Sequence, residues 1–210
     1  MSNKLSRRSF LKCTGASVAA LGAAALLGGC QTNRNGAVNV SVKVGDKISN
    51  WNNLGVQLTR VFQLTATPDV EGYEYVAVLV TAVNRSTDTT FNIGAQDLDA
   101  INAAYPLDDE ATKAANAIAY FHALADSTTD FAVLCDGQTV EGGAYVSLYD
   151  DATETFSDSN CLPPQRSGYI ELVCLVPKGW RELAVTYTPA FVSGKQLTFT
   201  MSASDIAKAE

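Results

Sequence analysis

One run of apolar residues, Tyr73 to Val83, constrains the fold of this chain more than any other feature. Every residue from Tyr75 to Val80 is apolar. Because side chains alternate between the two faces of a β-strand, a strand formed here has two apolar faces. Such a strand belongs at the centre of a covered sheet and not at its edge. The run therefore predicts the central strand of a sandwich, followed by a turn at residues 84–88.

Other strand-like segments are distributed along most of the chain, and each is bounded by turn residues. They cover residues 38–44, 54–64, 90–93, 131–135, 144–149, 169–176, 182–188 and 195–201. One segment differs, since small and apolar residues recur at helical spacing between Asp108 and Ala125. Asp108 is placed to cap this helix, and the acids Asp109 and Glu110 suit its positive end. Many short strands and one helix predict an all-β sandwich with one inserted α-helix.

The first thirty residues have the organisation of a targeting segment, so they are set apart from the fold. Ser6-Arg7-Arg8-Ser9-Phe10-Leu11-Lys12 precedes an apolar run, Ala16 to Leu27, which leads into Gly28-Gly29-Cys30. The run has about a dozen residues, whereas a membrane-spanning helix needs about 20. The alternatives to a targeting segment are an uncleaved anchor helix and a buried helix.

The two ends of this segment resemble known export motifs. The pair Arg7-Arg8 resembles a twin-arginine export signal, and the residues before Cys30 resemble the lipobox of bacterial lipoproteins. The resemblance implies that residues 1–29 form a signal peptide and that the Cys30 thiol carries a lipid anchor. It further implies a location at the cell membrane, lipid-anchored and facing the extracytoplasmic side. Residues 30–40, rich in Asn, Thr and Gly, are predicted to form a lipidated, flexible tether.

Charge limits the partners of the mature chain. The full chain has 15 Lys+Arg and 22 Asp+Glu. Residues 1–29 contain four of the basic residues and none of the acids, so 11 basic residues remain against 22 acids. Nucleic acids and anionic lipids are bound by clustered positive charge, and this balance argues against both. About 180 residues suffice for one core, so residues 41–206 are predicted to form a single domain.

Three cysteines remain once the signal peptide is removed and the lipobox cysteine is lipidated. Cys135 and Cys161 flank a Gly- and Asp-rich hairpin region and are the candidate pair for a disulfide. The alternative is three thiols, which is favoured if the protein folds in a reducing cytoplasm before export. Cys174 shares a strand face with Ile170 and Leu172, so it is expected to be a small, buried apolar residue.

No arrangement of residues in the sequence indicates catalysis. His122 is the only histidine, and beside the apolar stripe of the predicted helix a packed role competes with catalysis or metal binding. The thiols lack the paired C-x-x-C spacing of zinc sites, and the sequence has no phosphate loop or nucleophile elbow. The acidic loop at 150–160 offers oxygen ligands without EF-hand spacing, so a solvated loop competes there with a calcium site. The sequence therefore predicts no catalytic residue, no bound metal and no cofactor. A carboxylate pair for glycoside hydrolysis stays an alternative, because such a pair has no fixed spacing in a sequence.

Three groups of residues, in this order, resemble a known domain family. Val44-Gly45-Asp46-Lys47-Ile48 opens the domain, and Tyr75 to Ser86 forms its central strand and turn. The closing part consists of Leu162-Pro163-Pro164 to Gly168, Leu172 to Lys178 and Leu183 to Tyr187. Over residues 42–190 these groups resemble the immunoglobulin-like domain of unassigned function found on many bacterial lipoproteins, which is related in fold to a secreted actinobacterial antigen. The resemblance implies an immunoglobulin-like antiparallel β-sandwich without catalytic residues, from which the helical insertion at about 94–129 departs.

These observations lead to one expected function and two alternatives. We expect a non-enzymatic module, anchored at the cell surface, that binds a protein or an envelope component through loops at one end of the sandwich. Trp180, in a turn, and Phe121 and His122, on the inserted helix, are the candidate partner-binding residues. The competing interpretation of Trp180 is that it folds back over the sheet edge. The alternative functions are a calcium- or small-solute-binding lipoprotein that uses loop 150–160, and a hydrolase with scattered carboxylates.

Overall fold

The computed structural model describes residues 31–68, 70–94, 103–105, 116, 119, 130–140, 143–157 and 160–207. These residues form a β-sandwich of a seven-stranded and a five-stranded sheet, with a small two-stranded sheet beside them. The strands are β1 (Gln31–Asn33), β2 (Asn39–Lys43), β3 (Lys47–Trp51), β4 (Leu54–Gln63), β5 (Tyr73–Asn84), β6 (Phe91–Asn92), β7 (Phe131–Cys135), β8 (Gln138–Thr139), β9 (Ala144–Asp150), β10 (Thr155–Phe156), β11 (Cys161–Leu162), β12 (Ser167–Pro177), β13 (Glu182–Tyr187) and β14 (Gln196–Ser202). The predicted β-sandwich is therefore confirmed.

The predicted central strand is β5, and it lies in the middle of the seven-stranded sheet, whose order is β1-β3-β4-β5-β12-β9-β10. It pairs with β4 on one side and with β12 on the other. The pairing with β12 is antiparallel and continuous from Val83 opposite Ser167 to Tyr73 opposite Pro177. Every side chain from Val76 to Ala82 is buried, as a strand with two covered faces requires.

The main core lies between the two sheets. The five-stranded sheet has the order β2-β14-β13-β7-β8, and its inward-facing residues pack against those of the larger sheet. The largest fully buried side chains of this core include Trp51, Tyr187 and Phe199. A second, smaller hydrophobic cluster lies on the other face of β5 and β12, and its buried members are Leu64, Ala77, Val173 and Leu175. Alternate residues of β5 and β12 belong to these two clusters, which explains why both strands are mainly apolar, with the fully buried Glu171 of β12 as an exception.

The prediction of a purely antiparallel sandwich is wrong at two strand pairs. β1 pairs in parallel with β3, and β2 pairs in parallel with β14. β1 lies in the larger sheet, β2 in the smaller one and β3 in the larger one again. The chain thus returns to the larger sheet beside β1 and runs in the same direction. Gly45 turns the chain at this crossing with a φ of 87°, and the Lys43 amide donates a hydrogen bond of 2.9 Å to the Asp46 carboxylate. Gly45 and the Asp46 carboxylate therefore hold the turn by which the chain crosses between the two sheets.

The prediction of a flexible tether at residues 30–40 is also wrong for the residues that the structure describes. β1 pairs with β3, and the Arg34 amide donates to the Asn50 carbonyl over 2.9 Å. The indole Nε1 of Trp51 donates to the Ala37 carbonyl over 2.9 Å. A polar composition indicates a linker only where the backbone has no partner, and here the neighbouring edge strand supplies one.

The predicted helix at 108–125 lies almost entirely outside the described residues. Asn116 and Ala119 are described and are helical, as are Ala103 and Ala104. Helix in the described part of the chain is otherwise confined to one 3-10 turn, Ala203–Asp205. No helix within the described ranges combines the length and apolar character that crossing a membrane requires.

Gly168 in β12 generates a prediction about stability. A Cβ atom at this position would collide with the Tyr149 carbonyl oxygen, a backbone atom of the neighbouring strand β9. Gly168→Ala is therefore expected to lower the free energy of unfolding by about 1–3 kcal/mol, the usual cost of overpacking. Ser41→Ala, at an exposed position of β2, is the control and is expected to change it by less than about 0.5 kcal/mol. Indistinguishable urea unfolding curves for Gly168→Ala and the native protein would contradict the close approach of these strands.

Candidate functional site

Trp180, the principal candidate for partner binding, lies in the core and not on the surface. Its exposed fraction is 4%, and it belongs to the main hydrophobic cluster. The turn was predicted correctly, since Gly179 has a φ of 82° and the Trp180 amide donates to the Pro177 carbonyl. This burial agrees with the interpretation in which Trp180 folds back over the sheet, and not with that of an exposed partner-binding side chain. Phe121 and His122 lie outside the described residues, as do Arg7, Arg8 and Cys30.

The disulfide predicted between Cys135 and Cys161 is absent from the structure, which holds Cys135, Cys161 and Cys174 as thiols. Cys135 ends β7 and pairs with Leu183, whereas Cys161 lies in β11 opposite Asn92. Cys174 is buried as predicted, and burial together with the nearby Cys135 raises its pKa to about 12. Burial, assisted by Asp136, also raises the pKa of Cys135. Cys135 and Cys161 flank the same hairpin region in the sequence, but they are not bonded to each other in the fold.

The acidic loop is held by contacts within the protein. Arg166 donates two hydrogen bonds to the Asp150 carboxylate, of 2.8 and 3.1 Å, and the Ala152 amide donates a third of 2.8 Å. Burial alone would raise the pKa of Asp150, but these hydrogen bonds and the positive charge of Arg166 outweigh it and lower the pKa. Asp151 accepts a hydrogen bond of 2.7 Å from the Ser167 hydroxyl. The oxygens that a calcium ion would need are therefore already engaged at these two positions.

Asn160, at the end of the acidic loop, has a structural role. Its side-chain oxygen accepts from the Leu148 amide over 3.1 Å, and its Nδ2 donates to the carbonyls of Gly94 and Val146. Asp158 lies outside the described residues. Within the described ranges, no three His, Cys, Asp or Glu side chains are grouped closely enough to hold a metal ion.

A cleft of about 320 Å³ lies at one end of the sandwich and is the candidate functional site. We call it the amide cleft, and it is lined by Asn35, Asn52, Asn53, Ser86, Thr89, Phe91, Phe191 and Val192. Its centre is the two-residue turn between β3 and β4, where Asn52 and Asn53 have φ values of 52° and 66°. Asparagine tolerates this left-handed conformation better than most residues, which explains its use in a tight hairpin turn.

The first wall of the amide cleft is a chain of asparagine side chains. The side-chain oxygen of Asn33 accepts from the backbone N–H of Asn35 over 2.9 Å. The side-chain oxygen of Asn35 accepts in turn from the backbone N–H of Asn52 over 3.1 Å. The Asn52 oxygen accepts from the Lys195 ammonium over 2.7 Å. The Asn52 Nδ2 atom is shielded from solvent and makes no hydrogen bond in the structure. The polar atoms of the Asn52 side chain are therefore enclosed by the protein, and the exposed Asn53 is the asparagine of this turn that a ligand in the cleft can contact.

The second wall is the turn after β5, which hydroxyl and amide groups hold in place. The Ser86 hydroxyl accepts from the Thr89 amide over 2.9 Å, and both hydroxyls donate to the Asp88 carboxylate. These donations, from Thr89 first and Ser86 second, lower the pKa of Asp88. Behind the turn, the fully buried Asn84 donates to the carbonyls of Thr89 and Leu162 over 2.8 and 2.9 Å. The wall is therefore fixed to the body of the sandwich.

The floor of the amide cleft is apolar. The rings of Phe91 and Phe191 stack with their centroids 3.9 Å apart and their planes 8° apart. Phe91 is buried and Phe191 is half-buried, so the pair connects the core to the cleft. An apolar floor with amides and hydroxyls around it can hold a small ligand that is apolar on one face and rich in hydrogen-bonding groups at its rim.

The sequence analysis missed this site, although one signal for it was present. Two asparagines between apolar strand segments, at positions 52 and 53, are typical of a hairpin turn. The remaining lining residues come from the segment interpreted as a tether, from the loops after β5 and β13 and from the short strand β6. No local pattern indicates that these separate segments meet at one end of the fold.

Comparison with known proteins adds little to this picture. Neither a protein-family model nor a curated protein matches the chain in sequence. Among solved structures, an uncharacterized beta-sandwich protein from Clostridium difficile 630 is similar with a TM-score of 0.41 and 10% identity, over 83% of this chain and 98% of that chain. The N-terminal domain of PorA is similar with a TM-score of 0.27 and 10% identity, over 81% of this chain and 91% of that chain.

The contact between Asp150 and Arg166 predicts a dependence of stability on pH. Because the folded state lowers the pKa of Asp150, the stabilisation is complete above the ordinary value of 3.8 and is lost as pH falls through the lower folded value. Asp150→Asn is expected to lower the free energy of unfolding by about 1.5–3 kcal/mol at pH 7. This difference is expected to shrink in urea titrations below pH 3.8. Asp151→Asn, at an exposed position, is the control, and a difference for Asp150→Asn that is unchanged at low pH would contradict the assignment.

The three thiols are expected to react at different rates. Cys161 is half-buried, whereas Cys135 and Cys174 are buried and have raised pKa values that suppress the reactive thiolate. Iodoacetamide at pH 8 is therefore expected to modify Cys161 first, as followed by peptide mass spectrometry. All three should react at similar rates in 6 M guanidinium, about the concentration that unfolds even very stable domains. If neither Cys135 nor Cys161 reacts in guanidinium until a reductant is added, the two are joined in a disulfide.

Proposed function

We propose that this protein is a lipid-anchored, non-enzymatic binding module on the extracytoplasmic face of the cell membrane. Its ligand is a neutral, hydroxyl-rich component of the cell envelope, such as a glycan. The observation that carries this proposal is the amide cleft, in which asparagine side chains and hydroxyls surround a stacked phenylalanine pair. The expected protein- or envelope-binding function is thereby narrowed to an envelope ligand, and the candidate site moves from Trp180 to this cleft.

The chemistry of the cleft favours a neutral polar ligand over a charged one. An amide side chain has both a donor and an acceptor, and a hydroxyl group is also both, so the two classes are complementary. None of the described residues that line the cleft carries a charge, and Lys195, which is outside this lining, donates to the Asn52 oxygen from behind the wall. Sugar rings have apolar C–H faces, for which the exposed side of Phe191 offers a matching surface.

The anchored location in this proposal is supported by the sequence of the first thirty residues. Arg7 and Arg8 stand where a twin-arginine signal has its arginine pair, and Cys30 stands where a lipobox has its lipidated cysteine. The immunoglobulin-like topology implied by the family resemblance is part of the same proposal. It is supported by the two facing sheets and by the pairing of β5 with β12, between which the chain visits the other sheet.

Asn53→Gly tests the cleft without disturbing its turn. Glycine adopts the left-handed conformation of Asn53 readily, so the variant removes the exposed amide group while keeping the hairpin. The native protein is expected to bind neutral oligosaccharides from bacterial envelopes on an array. The affinity is expected to fall about tenfold or more in the variant, which is the effect of losing one or two hydrogen bonds. Glu154→Gly is the matched control, since Glu154 also has a positive φ, of 54°, but is exposed and does not line the cleft.

Two results would contradict the proposal. One is an array without any oligosaccharide bound by the native protein, and the other is equal loss of binding in Asn53→Gly and Glu154→Gly. The non-enzymatic part is tested on the same samples. Oligosaccharides recovered after overnight incubation with the protein are expected to have unchanged masses, and cleavage products would show a hydrolase instead.

A further inference from the structure

We infer that the amide cleft selects its ligand by the faces of the sugar ring. It takes pyranose residues that have at least one face free of axial oxygen atoms, such as β-linked glucose or N-acetylglucosamine. The surface that receives this face is the ring of Phe191. The inference rests on the proposed function and narrows the glycan of that proposal to a stereochemical class, which the hydrogen-bonding groups around the cleft do not by themselves define.

The ring of Phe191 is supported from one side. Phe91 lies parallel to it, with the planes 8° and the centroids 3.9 Å apart, and covers one of its faces. Phe91 has an exposed fraction of 3% and lies in β6, where it pairs with Leu162 of β11. Phe191 is half-buried, so it is the ring of the pair that a ligand in the cleft can reach. A close-packed partner behind the ring prevents Phe191 from giving way toward the core.

The face of an aromatic ring attracts polarised C–H groups. Its π-system is negative on the face and positive at the edge. The C–H groups of a sugar adjoin oxygen-bearing carbons, so their hydrogen atoms are partly positive. A sugar face made only of C–H groups can therefore lie flat on Phe191. An axial hydroxyl on that face would be pressed against the ring, where it loses water and gains no hydrogen bond.

This requirement separates sugars of the same composition. β-linked glucose has all its oxygen substituents equatorial, so both faces are made of C–H groups. β-linked galactose has one axial hydroxyl, and its opposite face is clear. α-linked galactose and α-linked mannose have axial oxygens on both faces, because the axial linkage oxygen and the axial hydroxyl point to opposite sides. Since Phe191 contacts a ring from one side, one clear face is sufficient, and the last two sugars are excluded.

The polar groups around the cleft fit a ring held in this way. Equatorial hydroxyls point outward, close to the plane of the sugar ring, and therefore toward the walls. The exposed polar residues of the lining are Asn35, Asn53 and Thr89. Amide and hydroxyl groups match sugar hydroxyls because each class both donates and accepts. The floor therefore contacts the face of the sugar, and the walls contact its edge.

The test compares two ligands that differ at one carbon atom. Methyl β-galactoside has a clear face, whereas methyl α-galactoside has none. Each is mixed with the native protein at the same concentration and followed by saturation-transfer difference NMR. Transfer to the β isomer is expected to be about threefold stronger or more, which is the size of a good aromatic contact, and strongest on the protons of its clear face. Equal transfer to the two isomers would overturn the inference.

Phe191→Leu tests the aromatic surface itself. Leucine keeps the floor apolar but removes the flat ring, so the affinity for methyl β-galactoside is expected to fall about three- to tenfold. The ratio between the two isomers is expected to approach one. Val192→Ala, at the neighbouring residue of the lining, is the matched control and is expected to leave the ratio unchanged. A folded Phe191→Leu variant with the native ratio would overturn the role of Phe191.

Failure of this inference is distinguishable from failure of the proposed function. If oligosaccharides bind on the array but neither galactoside shows transfer, or α-linked mannose oligosaccharides bind as tightly as β-linked glucose oligosaccharides, the selection by sugar faces is overturned while the glycan-binding function stands. If no oligosaccharide binds on the array, the proposed function and this inference both fall. The isomer comparison uses the native protein, so it does not depend on whether Phe191→Leu folds.

Discussion

The antiparallel pairing of β5 with β12 is the interaction on which the rest of the structure depends. It runs without interruption from Tyr73 opposite Pro177 to Val83 opposite Ser167 and forms the middle of the larger sheet. Both strands are apolar on both faces, so each must be covered from two sides at once. One side is covered by the five-stranded sheet, which places β2, β7, β13 and β14. The partners are more than 80 residues apart in sequence, so forming the pair closes a long loop of the chain at a cost in conformational entropy.

Buried asparagines extend this arrangement into the loops. Strands satisfy their own backbone groups, but irregular segments at the end of a sandwich need other partners. Asn84 and Asn160 provide them, because one amide side chain both donates and accepts. Asn84 fixes the turn that forms one wall of the amide cleft, and Asn160 fixes the end of the acidic loop. The same residue type therefore acts as internal support at these two positions and as cleft lining at Asn52 and Asn53.

Predictions from the sequence succeeded where the cause is local. The strand at β5, the turn at Gly179-Trp180 and the burial of Cys174 each follow from the alternation of side chains or from the conformational freedom of glycine. They failed where the outcome depends on what a segment meets. Trp180 lies in a correctly predicted turn, yet its exposure depends on the direction in which that turn points the indole. Residues 31–38 have the composition of a linker, but an edge strand with unpaired backbone groups captures them.

The sequence by itself determined the class of the fold, the central strand and the segment that resembles an export and lipidation signal. These features depend on residues that are close together in the sequence. Alternation of apolar and polar side chains, turn residues and a short apolar run are all local properties. Only the tertiary structure decided which segments meet at the amide cleft, which cysteines lie near each other and how the N-terminal strands join the two sheets. The physical reason is that burial and hydrogen bonding are properties of neighbours in space. In a sandwich built from long-range strand pairs, those neighbours are distant in sequence.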